Sequence, residues 1–283
     1  MGVQKIAIQG ESGSNSHMAA LEMLGAVDLV PCSLSADVFD RLLEGTVDAA
    51  VLPIENSLHG SVAEHYDLLL QHPVRITGES LLRIRFHLIA MPGVGLGDLR
   101  RVLSHPVALA QCRRFLAQHR ELEAVPFYDT AGSVKHLMEA QLRDTAGIAP
   151  ELAARQYGAQ ILARDLEDHA ENFTRFHLLR RAADLTPSVV AGDVPLPAPA
   201  CNKMSIAFSI DHRPGTLVAA LQLLADAGVD LTKIESRPVP GQPWEYVFYA
   251  EFRFENPASA DAALSALLGH CRMIKELGRY RSA

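Results

Sequence analysis

Four short loops of this 283-residue chain are rich in Ser, Thr, Asn and Gly and contain no Lys or Arg. They are ESGSNS at 11–16, ENSLHGS at 55–61, SHPVALAQC at 104–112 and DTAGS at 129–133. Backbone N–H groups and hydroxyls at helix N-termini bind anions, so these loops are suited to hold a small acidic molecule. The same residue types are preferred helix N-caps, and for any single loop capping alone is the simpler interpretation.

Apolar segments of strand length alternate with helical segments through residues 1–181. KIAIQG, DAAVLPI and TAGIAP each precede a helical pattern, which is typical of an α/β domain with parallel-type sheets and helices on both faces. In such sheets ligands bind where strands end and helices begin. The polar loops stand at such points, so we expect a binding site there.

A proline-rich stretch divides the chain. The segment 186–202 holds four prolines and one glycine among few large side chains, so it can neither continue a helix nor pair within a central strand. We therefore predict a first domain over 1–185, a linker over 186–202 and a second domain over 203–283.

The second domain has the pattern of a ferredoxin-like βαββαβ fold. KMSIAFSID alternates apolar and polar residues as a half-buried strand does, and Leu217, Leu221 and Leu224 then recur on one helical face. Strands through TKIESRPV and WEYVFYAEFRF, a helix starting at Pro257 and a last strand near 272–277 complete it. Two helices on one face of a four-stranded sheet leave the other face and the edges free for a partner.

The composition is that of a globular protein with a modest acidic excess. Lys and Arg number 26 against 33 Asp and Glu, and no basic run offers a track for a phosphate backbone, so we expect no nucleic-acid partner. Four widely spaced cysteines predict reduced thiols. Without a signal-peptide pattern or an apolar run near the roughly 20 residues of a membrane helix, we expect a cytoplasmic protein with no membrane partner.

Several segments, in their order along the chain, resemble the prephenate dehydratase family. They are IQGESGSNSHMAA, VLPIENSLHGSVAEHYDLL, LSHPVALAQC, GIAPELAARQYG and NFTRFHLL. PGTLVAAL and LTKIESRPVPGQPWEYVFYAEF resemble the regulatory ACT domain that follows in this family. Each string alone is weak evidence, but together they extend over nearly the whole chain.

The resemblance implies a two-lobed catalytic domain, similar to a periplasmic binding protein, whose cleft converts prephenate into phenylpyruvate, carbon dioxide and water. Aromatisation supplies the driving force. The cleft then has to orient the ring, assist departure of the hydroxyl and avoid pairing the departing carboxylate too strongly. No metal or organic cofactor is implied, and no spacing of His, Cys and carboxylates suggests one.

Within NFTRF, Thr174 corresponds to the threonine that the family uses at the leaving hydroxyl. We expect it to donate a hydrogen bond there, with full proton transfer as the alternative. In a regular strand Thr174 and Phe176 share a face, whereas Arg175 points the opposite way and braces the cleft from behind.

Asn56 and Ser57 of the IENS segment correspond to cleft residues that bind a carboxylate or the carbonyl of the pyruvyl arm. Glu55 is the ambiguous member of this group. A carboxylate next to a dianion is repulsive unless it is protonated or turned away, so a role in orienting Asn56 or its loop is favoured over direct contact.

Ser104 and Gln111 also correspond to cleft positions of the family, although Ser104 could equally be only a helix cap. Thr130 and Ser133 are candidates on the same reasoning. The first loop departs from the family pattern Gly-Pro-x-Gly-Thr-aromatic-Ser. It reads GESGSNS at 10–16, so it keeps a hydroxyl for anion binding at Ser14 but loses the proline and the aromatic residue.

In the second domain, two segments match those that bind phenylalanine between paired ACT domains of the family. They are Gly215, Thr216, Leu217 and Val218, and Glu235, Ser236, Arg237 and Pro238. A helix N-terminus after Pro214 suits the carboxylate of the effector. The purely structural alternative is a Pro-Gly helix entry with Arg237 in a surface ion pair. We expect allosteric control by phenylalanine in a homodimer or homotetramer.

Two other functions stay open. Arogenate dehydratases share the scaffold and accept an amino group where prephenate has a keto group. A non-catalytic, two-lobed sensor with an ACT module is the alternative from another class. The absence of an export signal and the presence of TRF argue against the sensor.

Overall fold

The computed structural model describes three stretches of the chain, residues 3–185, 201–239 and 244–283. The predicted linker lies outside these residues except for its last two positions. The chain divides into two compact units. The first comprises Met1–His65 and Ser80–Phe176, and the second comprises Tyr66–Glu79 and His177–Ala283.

The strands of the described residues are β1 (Gln4–Gln9), β2 (Val27–Cys32), β3 (Ala49–Asn56), β4 (Gly60–Ser61), β5 (Val74–Arg83), β6 (His87–Ala90), β7 (Arg101–Ser104), β8 (Glu123–Pro126), β9 (Thr145–Ala149), β10 (Gln160–Ala163), β11 (Phe173–Arg181), β12 (Lys203–Ser209), β13 (Asp230–Pro238), β14 (Tyr246–Arg253) and β15 (Met273–Tyr280). The helices are α1 (Asn15–Leu24), α2 (Ser35–Leu43), α3 (Ala63–Gln71), α4 (Pro106–Gln111), α5 (Arg113–Gln118), α6 (Thr130–Glu139), α7 (Glu151–Tyr157), α8 (Thr216–Asp226) and α9 (Pro257–Leu268).

One sheet has the strand order β2-β1-β3-β11-β5, with β4 paired to β3, and its strands β5 and β11 have residues in both units. The strand β1 pairs in parallel with both β2 and β3, as the alternating pattern predicted. Helices α1 and α2 contact this sheet; α1 buries Ala19 and Ala20, and α2 buries Val38, Phe39 and Leu42.

The other sheet of the first unit has the order β10-β6-β9-β7-β8. Here β7 is parallel to β8 and β9, whereas β6 is antiparallel to β9 and β10. The α/β class is confirmed, but the sheet is mixed. The strand β6 is the one that runs against its neighbours, so only the pairs that β7 makes in this sheet are parallel.

Three of the polar loops cap helices. Ser14 caps α1 by accepting from the His17 N–H, and Asp129 caps α6 by accepting from the Gly132 N–H. At α4 the cap is His105, which accepts from the Val107 N–H, so the suggestion that Ser104 is the cap is wrong. Each of these helices follows a strand of its sheet, which places the three loops at strand ends.

The predicted βαββαβ order of the second domain is confirmed. Its sheet has the order β13-β14-β12-β15 with antiparallel pairing throughout. Helices α8 and α9 pack on one face, where the core contains Ile206, Phe208, Leu224, Phe252 and Leu267.

The opposite face of this sheet is not free, contrary to the expectation. Within the same unit, the Tyr249 hydroxyl donates to the Tyr66 carbonyl at 3.0 Å, and the Lys203 ammonium lies 2.7 Å from Glu79. At Gly278 in β15 a Cβ atom would collide with the backbone of Ile76. The segment Tyr66–Glu79 therefore covers part of the face that the sequence pattern left open.

Candidate active site

A cleft of about 550 Å³ lies within the first unit. The loop after β1, the turn after β3, helix α4, the segment before α6 and strand β11 line it. Six predicted site residues are among the lining residues: Ser14, Asn56, Gln111, Thr130, Thr174 and Phe176. The structure thus brings together side chains that are far apart in the sequence.

Thr174 is the second residue of β11 and is 9% exposed. Thr174 and Phe176 both line the cleft, as expected for alternate residues of a strand. The Asn56 amide Nδ2 donates to Thr174 Oγ1 at 2.9 Å. A hydroxyl that accepts from an amide keeps its own proton for donation to another group.

The orientation of the Asn56 amide is set by backbone groups. Its Oδ1 accepts from the N–H groups of Leu58 and His59 at 3.0 and 3.1 Å. Its Nδ2 also donates to Asn172 Oδ1 at 2.8 Å and to the Phe173 carbonyl at 3.1 Å. Asn56 is therefore held at both ends of its amide.

Gln111 belongs to the same network. Its Oε1 accepts from Asn172 Nδ2 at 2.9 Å, and its Nε2 lies 3.0 Å from His59 Nδ1. Asn172 has no exposed surface, so its amide is fixed between Asn56 and Gln111. The arrangement is a continuous set of amides with a histidine at one end and Thr174 at the other.

Glu55 and Arg175 form an ion pair with 2.7 Å between Arg175 Nη2 and Glu55 Oε2. Neither side chain is among the residues that line the cleft. The Glu55 carboxylate is therefore turned toward Arg175 and not toward the cleft. A carboxylate beside a dianionic substrate is repulsive unless it is turned away in this manner or protonated. The pair joins the end of β3 to β11, next to Asn56 and Thr174.

Ser57 and Ser104 also lie outside the cleft lining. The Ser57 hydroxyl donates to the Glu171 carbonyl and accepts from the Phe173 N–H, so it fastens the turn after β3 to the start of β11. Ser104 is fully buried and donates to the Ile148 carbonyl at 2.6 Å. Ser133 is buried as well and donates to the Thr130 carbonyl.

Several residues that line the cleft were not predicted individually: Glu11, His59, His105, Tyr128 and Asp129. All but Tyr128 belong to the polar loops, so the loop composition was the available signal. Glu11 accepts from the Tyr128 hydroxyl at 2.9 Å and from Lys135 Nζ at 3.0 Å. These contacts neutralise much of its charge.

Burial raises the pKa of Asp129, although the hydrogen bond from the Gly132 N–H opposes that shift. Burial lowers the pKa of His105, which favours its neutral form. Among the described residues that line the cleft there is no Lys or Arg. An anion bound here would be held by amides, hydroxyls, imidazoles and backbone N–H groups.

A second cavity of about 440 Å³ lies in the second unit. Its lining includes all of the first predicted effector segment, Gly215, Thr216, Leu217 and Val218. Gly215 is the N-cap of α8 with φ of 85°, a conformation that favours glycine. The helix thus begins two residues after Pro214.

The second effector segment, 235–238, does not line this cavity. It lies on β13, where Glu235 is 3.4 Å from Lys233 and Arg237 is 2.6 Å from Asp67 of the same unit. Within the described chain the two predicted effector segments therefore do not share one pocket.

The described residues contain no group of three or more His, Cys, Asp or Glu side chains that could hold a metal ion. Within the same part of the chain, no helix combines the length and apolar character that crossing a membrane requires.

Comparison with protein families gives two matches. Residues 6–184 match the family described as prephenate dehydratase, and residues 204–268 match the ACT domain. The first match alone covers more than half of the chain.

Individual relatives agree with these matches. The chain is 40% identical to arogenate dehydratase/prephenate dehydratase 2 of Arabidopsis thaliana over 98% of its length and 72% of that protein. A solved prephenate dehydratase from Arthrobacter aurescens in complex with L-Phe is 31% identical with a TM-score of 0.84, covering 99% of this chain and 90% of that one. GqqA, described as a novel type of quorum quenching acylase, is 31% identical with a TM-score of 0.85, covering 99% of this chain and 98% of that one.

Proposed function

This chain belongs to the prephenate dehydratase family, and we propose that it converts prephenate into phenylpyruvate, carbon dioxide and water in phenylalanine biosynthesis. The observation that carries the proposal is the Asn56–Thr174 hydrogen bond in the cleft, because it leaves the Thr174 proton available to a leaving hydroxyl.

In the proposed reaction the bond from the ring to its carboxylate breaks, and its electron pair completes the aromatic ring while the C4–O bond breaks. Thr174 donates a hydrogen bond to the departing oxygen. Negative charge grows on that oxygen in the transition state, so the hydrogen bond is stronger there than in the ground state. The proton that completes the water molecule comes from solvent, and Thr174 need not ionise.

The lining of the cleft supports this chemistry. Prephenate carries two carboxylates, and the one on the ring must lose its charge as carbon dioxide. A Lys or Arg paired with that carboxylate would stabilise the ground state more than the transition state. A neutral donor such as the Ser14 hydroxyl binds an anion without that penalty. The volume of about 550 Å³ suits a small molecule.

Arogenate is the second candidate substrate. Its ammonium group replaces the keto group of prephenate, and the Asp129 carboxylate in the cleft lining could accept it. The two candidates use the same dehydration chemistry and differ only in this contact.

We also propose that residues 1–185 form the catalytic domain and 203–283 the regulatory domain, with 186–202 as the linker. Phenylalanine would bind to the ACT domain of a cytoplasmic homo-oligomer. The separation of Gly215–Val218 from 235–238 within one chain supports an effector site shared by two copies. The L-Phe complex of the Arthrobacter aurescens relative supports the choice of effector.

The test is to incubate the purified full-length protein separately with prephenate and with arogenate and to quantify phenylpyruvate and phenylalanine. Turnover of prephenate well above that of arogenate is the expected result. The reverse preference would assign arogenate, and no product from either would reject a dehydratase. Acylase activity is assayed in parallel because of the likeness to GqqA.

A further inference from the structure

His59 lies in the turn between β3 and β4 and lines the cleft. Its Nδ1 is 3.0 Å from Gln111 Nε2. A neutral imidazole has one nitrogen that donates and one that accepts, and the partner of each nitrogen decides which. The state of His59 therefore depends on whether Gln111 donates or accepts at this contact.

The direction of the hydrogen bonds is fixed at the backbone. The Leu58 and His59 N–H groups can only donate, and both point to Asn56 Oδ1. The other end of the Asn56 amide must then be its NH₂ group, which donates to Asn172 Oδ1 at 2.8 Å.

The same direction continues through the next two side chains. With its Oδ1 accepting, Asn172 donates through Nδ2 to Gln111 Oε1 at 2.9 Å. Gln111 Nε2 is then the donor to His59 Nδ1 at 3.0 Å. The same Nδ1 also lies 3.4 Å from Asn56 Oδ1, which could only accept from it, but that oxygen already accepts from two backbone N–H groups and the contact with Gln111 is the shorter one. Reversing one amide would set two donors or two acceptors against each other, and such a mismatch is costly around the fully buried Asn172.

Since Nδ1 of His59 accepts a hydrogen bond, the single proton of the neutral ring sits on Nε2. The Asn56 amide that begins the series also donates to Thr174 Oγ1. One fixed direction of hydrogen bonding thus leaves two neutral groups with a proton to donate, the Thr174 hydroxyl and His59 Nε2.

We propose that His59 is a substrate-binding residue whose Nε2–H, held in that tautomer by Gln111, donates to an oxygen of the anionic substrate. The described lining of the cleft has no Lys or Arg, so a neutral N–H donor of this kind contributes directly to anion binding. The identity of the substrate rests on the proposed function, whereas the tautomer does not.

The tautomer is measured without any substrate. Long-range ¹H–¹⁵N spectra of the ¹⁵N-histidine-labelled, full-length protein at a pH where the ring is neutral should show the His59 proton on Nε2. Gln111→Glu replaces the donor by a carboxylate that only accepts, so His59 Nδ1 should gain a proton. His105, whose Nδ1 accepts from Val107 N–H, should keep its spectrum in that variant. A proton on Nδ1 of His59 in the wild type, or an unchanged His59 signal in Gln111→Glu, overturns the proposal.

The binding role is measured by steady-state kinetics with whichever substrate the enzyme turns over. His59→Phe keeps a ring without nitrogens and should raise KM about tenfold, with a smaller change in kcat. His59→Gln offers an acceptor to Gln111 and an NH₂ to the substrate, so it should restore most of the affinity. His169→Gln, at an exposed position outside the cleft lining, is the control and should change neither constant.

An unchanged KM in His59→Phe, or no difference between the Phe and Gln variants, would refute binding by His59. If the protein turned over neither prephenate nor arogenate, the proposed function would fail, while binding of phenylpyruvate to the same three variants would still test His59.

Discussion

Asn56 Nδ2 lies 2.9 Å from Thr174 Oγ1, although the two residues are 118 positions apart in the chain. Asn56 is the last residue of β3, and Thr174 is the second residue of β11, the next strand in the sheet. Strand order therefore sets this contact, and the backbone donors at Leu58 and His59 set its direction. The alcohol is presented to the cleft as a donor.

Replacing Thr174 by Ala should lower kcat by about 10² to 10³ with little change in KM, because a donor to the transition state is lost. Thr174→Ser keeps the hydroxyl and should retain part of the activity. Circular dichroism and melting of both variants check that the fold is unchanged. A well-folded Thr174→Ala enzyme with normal kcat would remove Thr174 from the reaction.

Asn56→Asp tests the direction of the Asn56–Thr174 hydrogen bond at nearly constant shape. An aspartate can still accept from the backbone N–H groups of Leu58 and His59, but it cannot donate to Thr174, nor to Asn172 Oδ1 and the Phe173 carbonyl, so melting of the variant has to be measured as well. The Thr174 proton would turn to the carboxylate, so kcat should fall about as far as in Thr174→Ala. The double variant should then be little worse than either single one, and additive losses would show that the two residues act independently.

The pattern of NFTRF was enough to predict which residues of β11 face the cleft, since a strand alternates its side chains with a period of two. Thr174 and Phe176 do line the cleft, and Arg175 is paired with Glu55 instead. Loops have no such period. For that reason the polar loops were predicted as a group, whereas His59 and Asp129 were not distinguished from their neighbours.

The covered face of the second-domain sheet was beyond sequence reasoning for a different reason. Tyr249 and Glu251 alternate with the apolar core residues of β14, which is the pattern of a solvent-facing side. Tyr249 donates to the Tyr66 carbonyl, and Glu251 shares the Lys203 ammonium with Glu79. Tyr66 and Glu79 come from a segment more than a hundred positions earlier. The alternation of polar and apolar residues describes a single strand, so it cannot predict which distant segment covers the polar face of that strand.

Asp129→Asn should distinguish the two candidate substrates. Asparagine can still accept from Gly132 N–H and cap α6, so the change removes the negative charge in the cleft and the hydrogen bond that the second oxygen accepts from the Glu11 backbone N–H. The KM for prephenate should fall several-fold, since a carboxylate no longer faces a dianion, whereas the KM for arogenate should rise. The pKa of Asp129 is raised by burial, so the difference from the wild type should shrink as the pH is lowered and Asp129 takes up a proton. Equal KM values for prephenate at every pH would exclude a contribution from this charge.

Arg237 needs a control because it pairs with Asp67 as well as lying in the predicted effector segment. Arg237→Ala should abolish inhibition by phenylalanine if the residue contributes to effector binding. Asp67→Asn removes the same ion pair but keeps the guanidinium, and should leave inhibition intact. Both side chains are more than a quarter exposed, so each change should cost at most about 1 kcal/mol of stability. Loss of inhibition in both variants would assign the effect to the ion pair rather than to the effector site.

The Lys203 ammonium lies 2.7 Å from Glu79 and 3.0 Å from Glu251, and all three side chains are nearly completely buried. Burial alone would raise the pKa of Glu79, but His177, whose Nε2 lies 3.7 Å from Glu79 Oε2, and the hydrogen bond and charge of Lys203 hold it well below its ordinary value of 4.5. A carboxyl whose pKa is lowered by folding stabilises the protein above pH 4.5 and loses that contribution as the pH falls further.

Lys203→Met should reverse the sign of this dependence. Without the ammonium, two carboxylates are left buried without their cation, which should cost about 3–5 kcal/mol near neutral pH. With Lys203 gone, burial is opposed only by His177, so we expect the pKa of Glu79 to rise; protonation then stabilises the folded state, and the variant should recover part of the loss as the pH falls from 7 toward 5. Urea unfolding at several pH values measures both effects, with Lys5→Met at an exposed position as the matched control. If the Lys203→Met protein instead lost stability on acidification in parallel with the wild type, the pKa of Glu79 would not govern the acid response.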